Sequence, residues 1–207
     1  MIDWMDQQFG RVIEKLEHLN VLDDFIIVFL SDHGEMLGTK GLWEKQQYFD
    51  ASARVPLSIW YPKRFERKHQ VIEQNVSLVD LFPTLCELAD IPIPDELDGR
   101  SLVQLIEGED EDWPNTVYSE LWKAQNGPSV MVKEGDLKYF RVDNGEGWPE
   151  QLFDLAKDRE ERHNLIDDPV YAEALGKLRS KVAALPPPRR KDENNRFIDP
   201  YRPMIQE

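Results

Sequence analysis

Phe25-Ile-Ile-Val-Phe-Leu-Ser-Asp-His-Gly-Glu35 is the stretch on which the fold turns. Its first six residues form a short, continuous, β-branched apolar run, which reads as a buried strand of a parallel sheet. Just before it, Ile2, Met5, Phe9, Val12, Ile13, Leu16 and Leu19 recur at a helical period, so a helix is expected over 2–19 with Asn20 as its stop. A helix followed by a buried strand is the order of an α/β sheet. Ser31 to Gln47 is polar and punctuated by glycine, hence a loop leaving the C-terminal end of that strand. Open α/β sheets hold their ligands at that end.

Further along, Pro56-Leu-Ser-Ile-Trp-Tyr61 reads as a second strand. Ser77 is placed to cap a helix over about 78–89, with Asp80 at the third helical position, where a carboxylate suits the helix dipole. Pro83 inside that pattern is expected to kink or delay the helix. Pro92, Pro94 and the Asp98-Gly99 turn end this half. Beyond the acidic stretch Glu107–Asp112 the pattern changes to four short strands, Thr116–Leu121, Ser129–Lys133, Leu137–Val142 and Gln151–Leu155. A helix over about 170–184 follows, with Asp168 as its cap. The expected organisation is an α/β portion over 1–108, a small α+β subdomain of antiparallel sheet and helix over 109–185, and a polar irregular tail over 186–207.

Composition narrows the classes of function. The chain has 207 residues and a formal net charge of −15, from 40 acidic and 25 basic residues. Such a field repels nucleic acid and anionic membranes and attracts cations, so an anionic substrate needs a local positive charge or a bound metal. The longest apolar run, Phe25–Leu30, falls far short of the roughly 20 residues of a membrane helix. The single cysteine, Cys86, allows no intrachain disulfide and no cysteine-based zinc cage, and its place between Leu85 and Leu88 reads as a buried thiol. Met1-Ile-Asp-Trp lacks the basic start and apolar run of a signal peptide. A cytoplasmic location follows if Met1 is the true start, and a periplasmic or secreted one is open if sequence precedes it.

The chemistry gathers after the first strand. Asp32 and His33 are adjacent where the backbone leaves the strand, and Gly34 permits a sharp turn there, so the two side chains can share one cation. Two ligands are too few for a complete site, since a hard cation takes about six. The other reading is a turn hydrogen bond from Asp32 beside a structural His33. Lys45 is the natural positive charge for an anion in acidic surroundings, although spacing alone favours a solvated loop lysine. Arg54 reads as the ion-pair partner of Asp50. His18, His69 and His163 are isolated.

Taken as longer strings, Phe25 to Gly38, Gly41-Leu-Trp-Glu-Lys45 and Tyr48 to Leu57 resemble the sulfatase family of the alkaline phosphatase superfamily, especially its choline sulfatase and phosphonate monoester hydrolase branches. Val76-Ser-Leu-Val-Asp-Leu-Phe-Pro-Thr-Leu85, Asp98-Gly-Arg-Ser-Leu102, Gln151-Leu-Phe-Asp-Leu155 and Glu161-Arg-His-Asn-Leu165 continue the likeness. The resemblance implies the C-terminal part of an alkaline-phosphatase-like sheet sandwiched by helices. It implies Asp32 and His33 as ligands of a divalent metal, calcium first and manganese second, and Lys45 as the catalytic contact to the sulfate or phosphonate oxygens. Lys40 stands where many relatives carry a histidine, a departure that bears on the leaving group. The family's formylglycine arises from Cys/Ser-x-Pro/Ala-x-Arg, a pattern that neither Cys86 nor any serine here satisfies. The paired aspartates that complete the family's metal site are also without an equivalent.

The expected function is therefore that of a C-terminal fragment of a metal-assisted sulfuric ester hydrolase, inactive alone. Its expected partners are a small-molecule sulfate or phosphonate ester and either a missing N-terminal half or a second copy, with no nucleic acid and no membrane. A phosphonate or phosphate ester hydrolase, and a non-catalytic remnant serving as a binding or assembly module, are the alternatives.

Overall fold

The structure is a computed structural model that describes residues 2–65, 69–109, 111–123, 127–142 and 150–186. The chain divides into two compact units, Met1–Val117 and Tyr118–Glu207. The expected tail over 186–207 falls, apart from Pro186, outside the described residues.

The first unit opens with helix α1, Ile2–His18, ended by Asn20 in a left-handed conformation (φ 54°). Strand β1, Ile27–Leu30, pairs with β2, Leu57–Trp60, in the register Val28 to Ile59 and Leu30 to Leu57. This corrects the expected buried parallel strand: β1 runs antiparallel to β2, is half-buried at Ile27 and Val28, and is exposed at Phe29 and Leu30. An apolar run of that length signals a strand but not the direction of its neighbour, which depends on how the chain returns. One face of the pair lays Leu57 and Ile59 on a cluster of Leu102, Leu105 and Trp113. On the other, the Phe9 ring of α1 lies 5.5 Å from that of Phe29.

The helix expected over 78–89 opens as a tighter 3₁₀ turn, Leu78–Asp80, and continues as α3, Leu81–Leu88, after the short turn α2 at Asp50–Ala53. Pro83 lies in the first turn of α3, where its missing N–H costs nothing. The buried Asp80 carboxylate accepts the Ser77 N–H at 2.8 Å and the Arg100 N–H at 3.0 Å. The Thr84 hydroxyl accepts the Leu102 N–H at 2.9 Å. Together they moor the segment entering α4, Val103–Glu107, and Gly99 is required there: a Cβ would stand 2.1 Å from the Val79 carbonyl oxygen. Cys86 is buried and free.

The second unit is an antiparallel sheet in the order β3 (Thr116–Lys123), β4 (Gly127–Glu134), β5 (Leu137–Val142) and β6 (Gln151–Asp154). All four strands fall where turn residues and alternation place them. Val132, Tyr139 and Leu152 are cross-strand neighbours on one face, each fully buried. Against them packs helix α5, Ala172–Ala183, through Leu175, Leu178 and Val182, the i, i+3, i+7 stripe of an amphipathic helix. Asp168 accepts the Val170 N–H at 2.9 Å and so caps the 3₁₀ turn, Pro169–Tyr171, that leads into α5. The Tyr139 hydroxyl donates to Glu150, which also holds Arg179 of α5. Burial and that carboxylate push the phenol well above its ordinary range, while Arg179 holds Glu150 below the usual carboxylate value.

Across from Tyr139's face, Lys138 and Glu161 form an ion pair of 2.8 Å with side chains only 2% and 3% exposed. Removing one partner strands a charge in the interior, whereas replacing both with apolar groups removes the desolvation cost as well. Lys138→Met is therefore expected to cost about 3–5 kcal/mol, and Lys138→Met with Glu161→Leu to recover most of it, as read by denaturant unfolding.

Candidate functional site

The loop from Ser31 to Arg54 is folded on itself by main-chain bonds. The Gly34 N–H donates to the Ser52 carbonyl at 2.8 Å, Met36 to Glu44 at 2.9 Å and Gly38 to Leu42 at 2.8 Å. Ser52 is buried, and its hydroxyl accepts the Gln47 N–H at 3.3 Å. Met36, Tyr48 and Phe49, all on this loop, are buried. Gly34 sits so close to α2 that a Cβ would meet the Ala51 carbonyl oxygen at 2.1 Å.

These bonds bring the expected site residues into one loop. Asp32 and His33 follow β1 directly, and Lys45 follows the residue whose carbonyl is bonded to Met36. His33 Nδ1 lies 2.7 Å from the Gly34 carbonyl oxygen. A proton on Nδ1 makes that contact a hydrogen bond and leaves the Nε2 lone pair outward. Nε2 faces Asp32 Oδ2 across 3.4 Å, with the carboxylate 84% exposed and the imidazole 38% exposed. The other Asp32 oxygen accepts the His33 N–H at 2.9 Å. An imidazole nitrogen and a carboxylate oxygen 3.4 Å apart are a donor set that a divalent cation accepts, and their number is short of what it needs. Among the described residues, no group of three or more His, Cys, Asp or Glu could hold a metal ion.

Lys45 is exposed and stands between Glu44 (φ 66°) and Gln46 (φ 70°), both left-handed. Leu37 (φ 45°) and Lys40 (φ 55°) are left-handed too. Such conformations cost non-glycine residues about 1–3 kcal/mol each and cluster at functional sites. The Lys40 ammonium lies 4.7 Å from the centre of the Phe49 ring. Neither feature was visible in the sequence, because Glu, Gln, Leu and Lys carry no left-handed preference. Arg54 lies 4.0 Å from Asp50, the ion pair expected of it, and His163 lies 3.4 Å from Asp158.

Comparison with known proteins shows what the chain is similar to. The family model for the C-terminal domain of N-sulphoglucosamine sulphohydrolase matches residues 38–187. The choline-sulfatase of Rhizobium meliloti is 38% identical over 171 residues, covering 81% of this chain and 32% of its own. The arylsulfatase of Clostridium perfringens is 34% identical over 180 residues, covering 86% of this chain and 37% of its own. The crystal structure of the phosphonate monoester hydrolase of Agrobacterium radiobacter superposes with a TM-score of 0.76 at 33% identity, over 88% of this chain and 39% of that one. The chain thus spans about a third of the length of the curated relatives it matches.

Gly34→Ala is expected to destabilise the first unit by about 1–3 kcal/mol, because its Cβ must displace backbone rather than a pliable side chain. Equal denaturation midpoints for the variant and the parent would show that the loop is not docked on α2.

Proposed function

The chain belongs to the sulfatase family, as its C-terminal domain, and on that premise we propose that it supplies one side of the active site of a metal-assisted sulfuric ester hydrolase. Asp32 and His33 serve as ligands of a divalent cation, calcium or manganese, and Lys45 holds the anionic group of the substrate. What carries the reading is the pairing of His33 Nε2 with Asp32 Oδ2 at 3.4 Å, at the start of a folded loop that also carries Lys45. When bound, the cation supplies charge neutralisation for the transferring group. Gly34 fixes the imidazole through its carbonyl, the bonds to Ser52 and Glu44 set the loop, and the Lys45 ammonium adds a local positive charge to a chain of net charge −15. The formylglycine nucleophile and the remaining metal ligands come from outside these 207 residues, which leaves the chain inactive alone.

The likeness to a phosphonate monoester hydrolase supports a second reading, a phosphonate or phosphate ester as substrate at the same residues. One chimera tests both: this chain set in place of the matched segment of the Rhizobium meliloti choline-sulfatase, assayed on paired sulfate and phosphonate esters. Sulfate ester turnover is expected, falling about a hundredfold or more in Lys45→Ala and in Asp32→Ala. Full turnover in those variants would remove the roles assigned here, and a preference for the phosphonate ester would select the second reading.

A further inference from the structure

Helix α5 is joined to the sheet of the second unit in two ways. Apolar contact comes from Leu175, Leu178 and Val182, laid over Val132, Tyr139 and Leu152. Three polar ties flank that stripe, and in each a carboxylate on the sheet side meets a donor from α5 or from the turn that leads into it. Just before β6, Glu150 accepts the Arg179 Nε–H at 3.1 Å and the Tyr139 hydroxyl. At the end of β6, Asp154 accepts the Tyr171 hydroxyl at 2.8 Å and pairs with Lys157 at 2.9 Å, while the Lys157 ammonium also donates to the Tyr171 oxygen at 2.8 Å. At the end of β4, Glu134 pairs with Lys181 at 2.7 Å.

We propose that Glu150 and Asp154 form a proton-operated clasp, so that acid undocks α5 as a unit while the sheet beneath it stays paired. The way charge is divided carries this. Acid neutralises the sheet-side carboxylates, and the cations they held turn to water at little cost, since Arg179 is 48% exposed and Lys157 73% exposed. The strands are joined in an unbroken antiparallel register by main-chain bonds, which hold no proton-sensitive group. The groups that face Glu150 are Tyr139 and Arg141 of β5 and Arg179 of α5, and those that face Asp154 are Lys157 and Tyr171. Arg179 holds the Glu150 carboxyl below its ordinary value. Burial pushes the Asp154 carboxyl up, but Lys157 and Tyr171 outweigh it and hold that group low as well. A carboxyl held low when docked binds its proton more readily once released. The clasp therefore holds in full above the ordinary carboxylate values of about 4, and is lost as pH falls through the lower docked values. It involves no residue of the Ser31–Arg54 loop.

Amide exchange of the full chain between about pH 6 and about pH 3.5, taken relative to an unstructured peptide at the same pH, reads the opening of α5. The opening constant of the Leu178 to Val182 amides is expected to rise at least about tenfold over that range, while the β4 and β5 amides stay protected. Glu150→Gln with Asp154→Asn is expected to open at about pH 6 as readily as the parent does at about pH 3.5, and to respond to acid by less than about twofold. Either substitution alone leaves a response between those of the parent and the double variant, which keeps the test open if the pair together prevents folding. Glu173→Gln removes an ion pair of 2.8 Å within α5, to Lys177, and is expected to keep the parent's response. Protection of α5 that does not change with pH overturns the proposal, as does loss of the β4 and β5 amides in step with those of α5. An undiminished response in both single variants overturns it too.

Discussion

The absence of a side chain at Gly34 is the constraint on which the site rests. With no Cβ, its backbone closes on α2, its N–H reaches the Ser52 carbonyl at 2.8 Å, and its own carbonyl meets His33 Nδ1 at 2.7 Å. One residue thereby ties the end of β1 to the segment before β2 and holds the His33 ring at Nδ1. Adding a methyl group there would separate the two, because the atom it meets belongs to main chain.

The same device recurs at Gly99, whose close approach to Val79 lets Asp80 and Thr84 moor the entry to α4. Both glycines sit in strings that resemble the family, Ser31-Asp-His-Gly34 and Asp98-Gly-Arg-Ser101. Read physically, those strings mark places where two backbones touch. The polar residues beside them, Asp32 and His33 in one case and Asp80 across the contact in the other, do different work: the first pair is turned outward, the second carboxylate is buried and satisfied.

Much of the fold was legible because its signals are local. The helix over 2–18, the four strands of the second unit and the cap at Asp168 follow from periodicity, turn residues and side-chain oxygen placement. The direction of β1 was not, since an apolar run records burial and not the course of the returning chain. At the site, residue identities singled out Asp32, His33 and Lys45. The folding of their loop was hidden, because it depends on left-handed turns at Leu37, Lys40, Glu44 and Gln46, residues with no such preference, and on main-chain bonds that no side chain announces. The buried pair Lys138 and Glu161, 23 positions apart, was equally silent.

The central claim is that this half of the site is formed before anything completes it. Amide hydrogen exchange of the chain alone, without metal, tests that most directly. The account predicts that the Gly34, Met36 and Gly38 amides exchange about a hundredfold or more slowly than in an unstructured peptide, since each is bonded within the loop. Exchange of those amides at the unstructured rate, while Val132 and Tyr139 in the second unit stay protected, would contradict it.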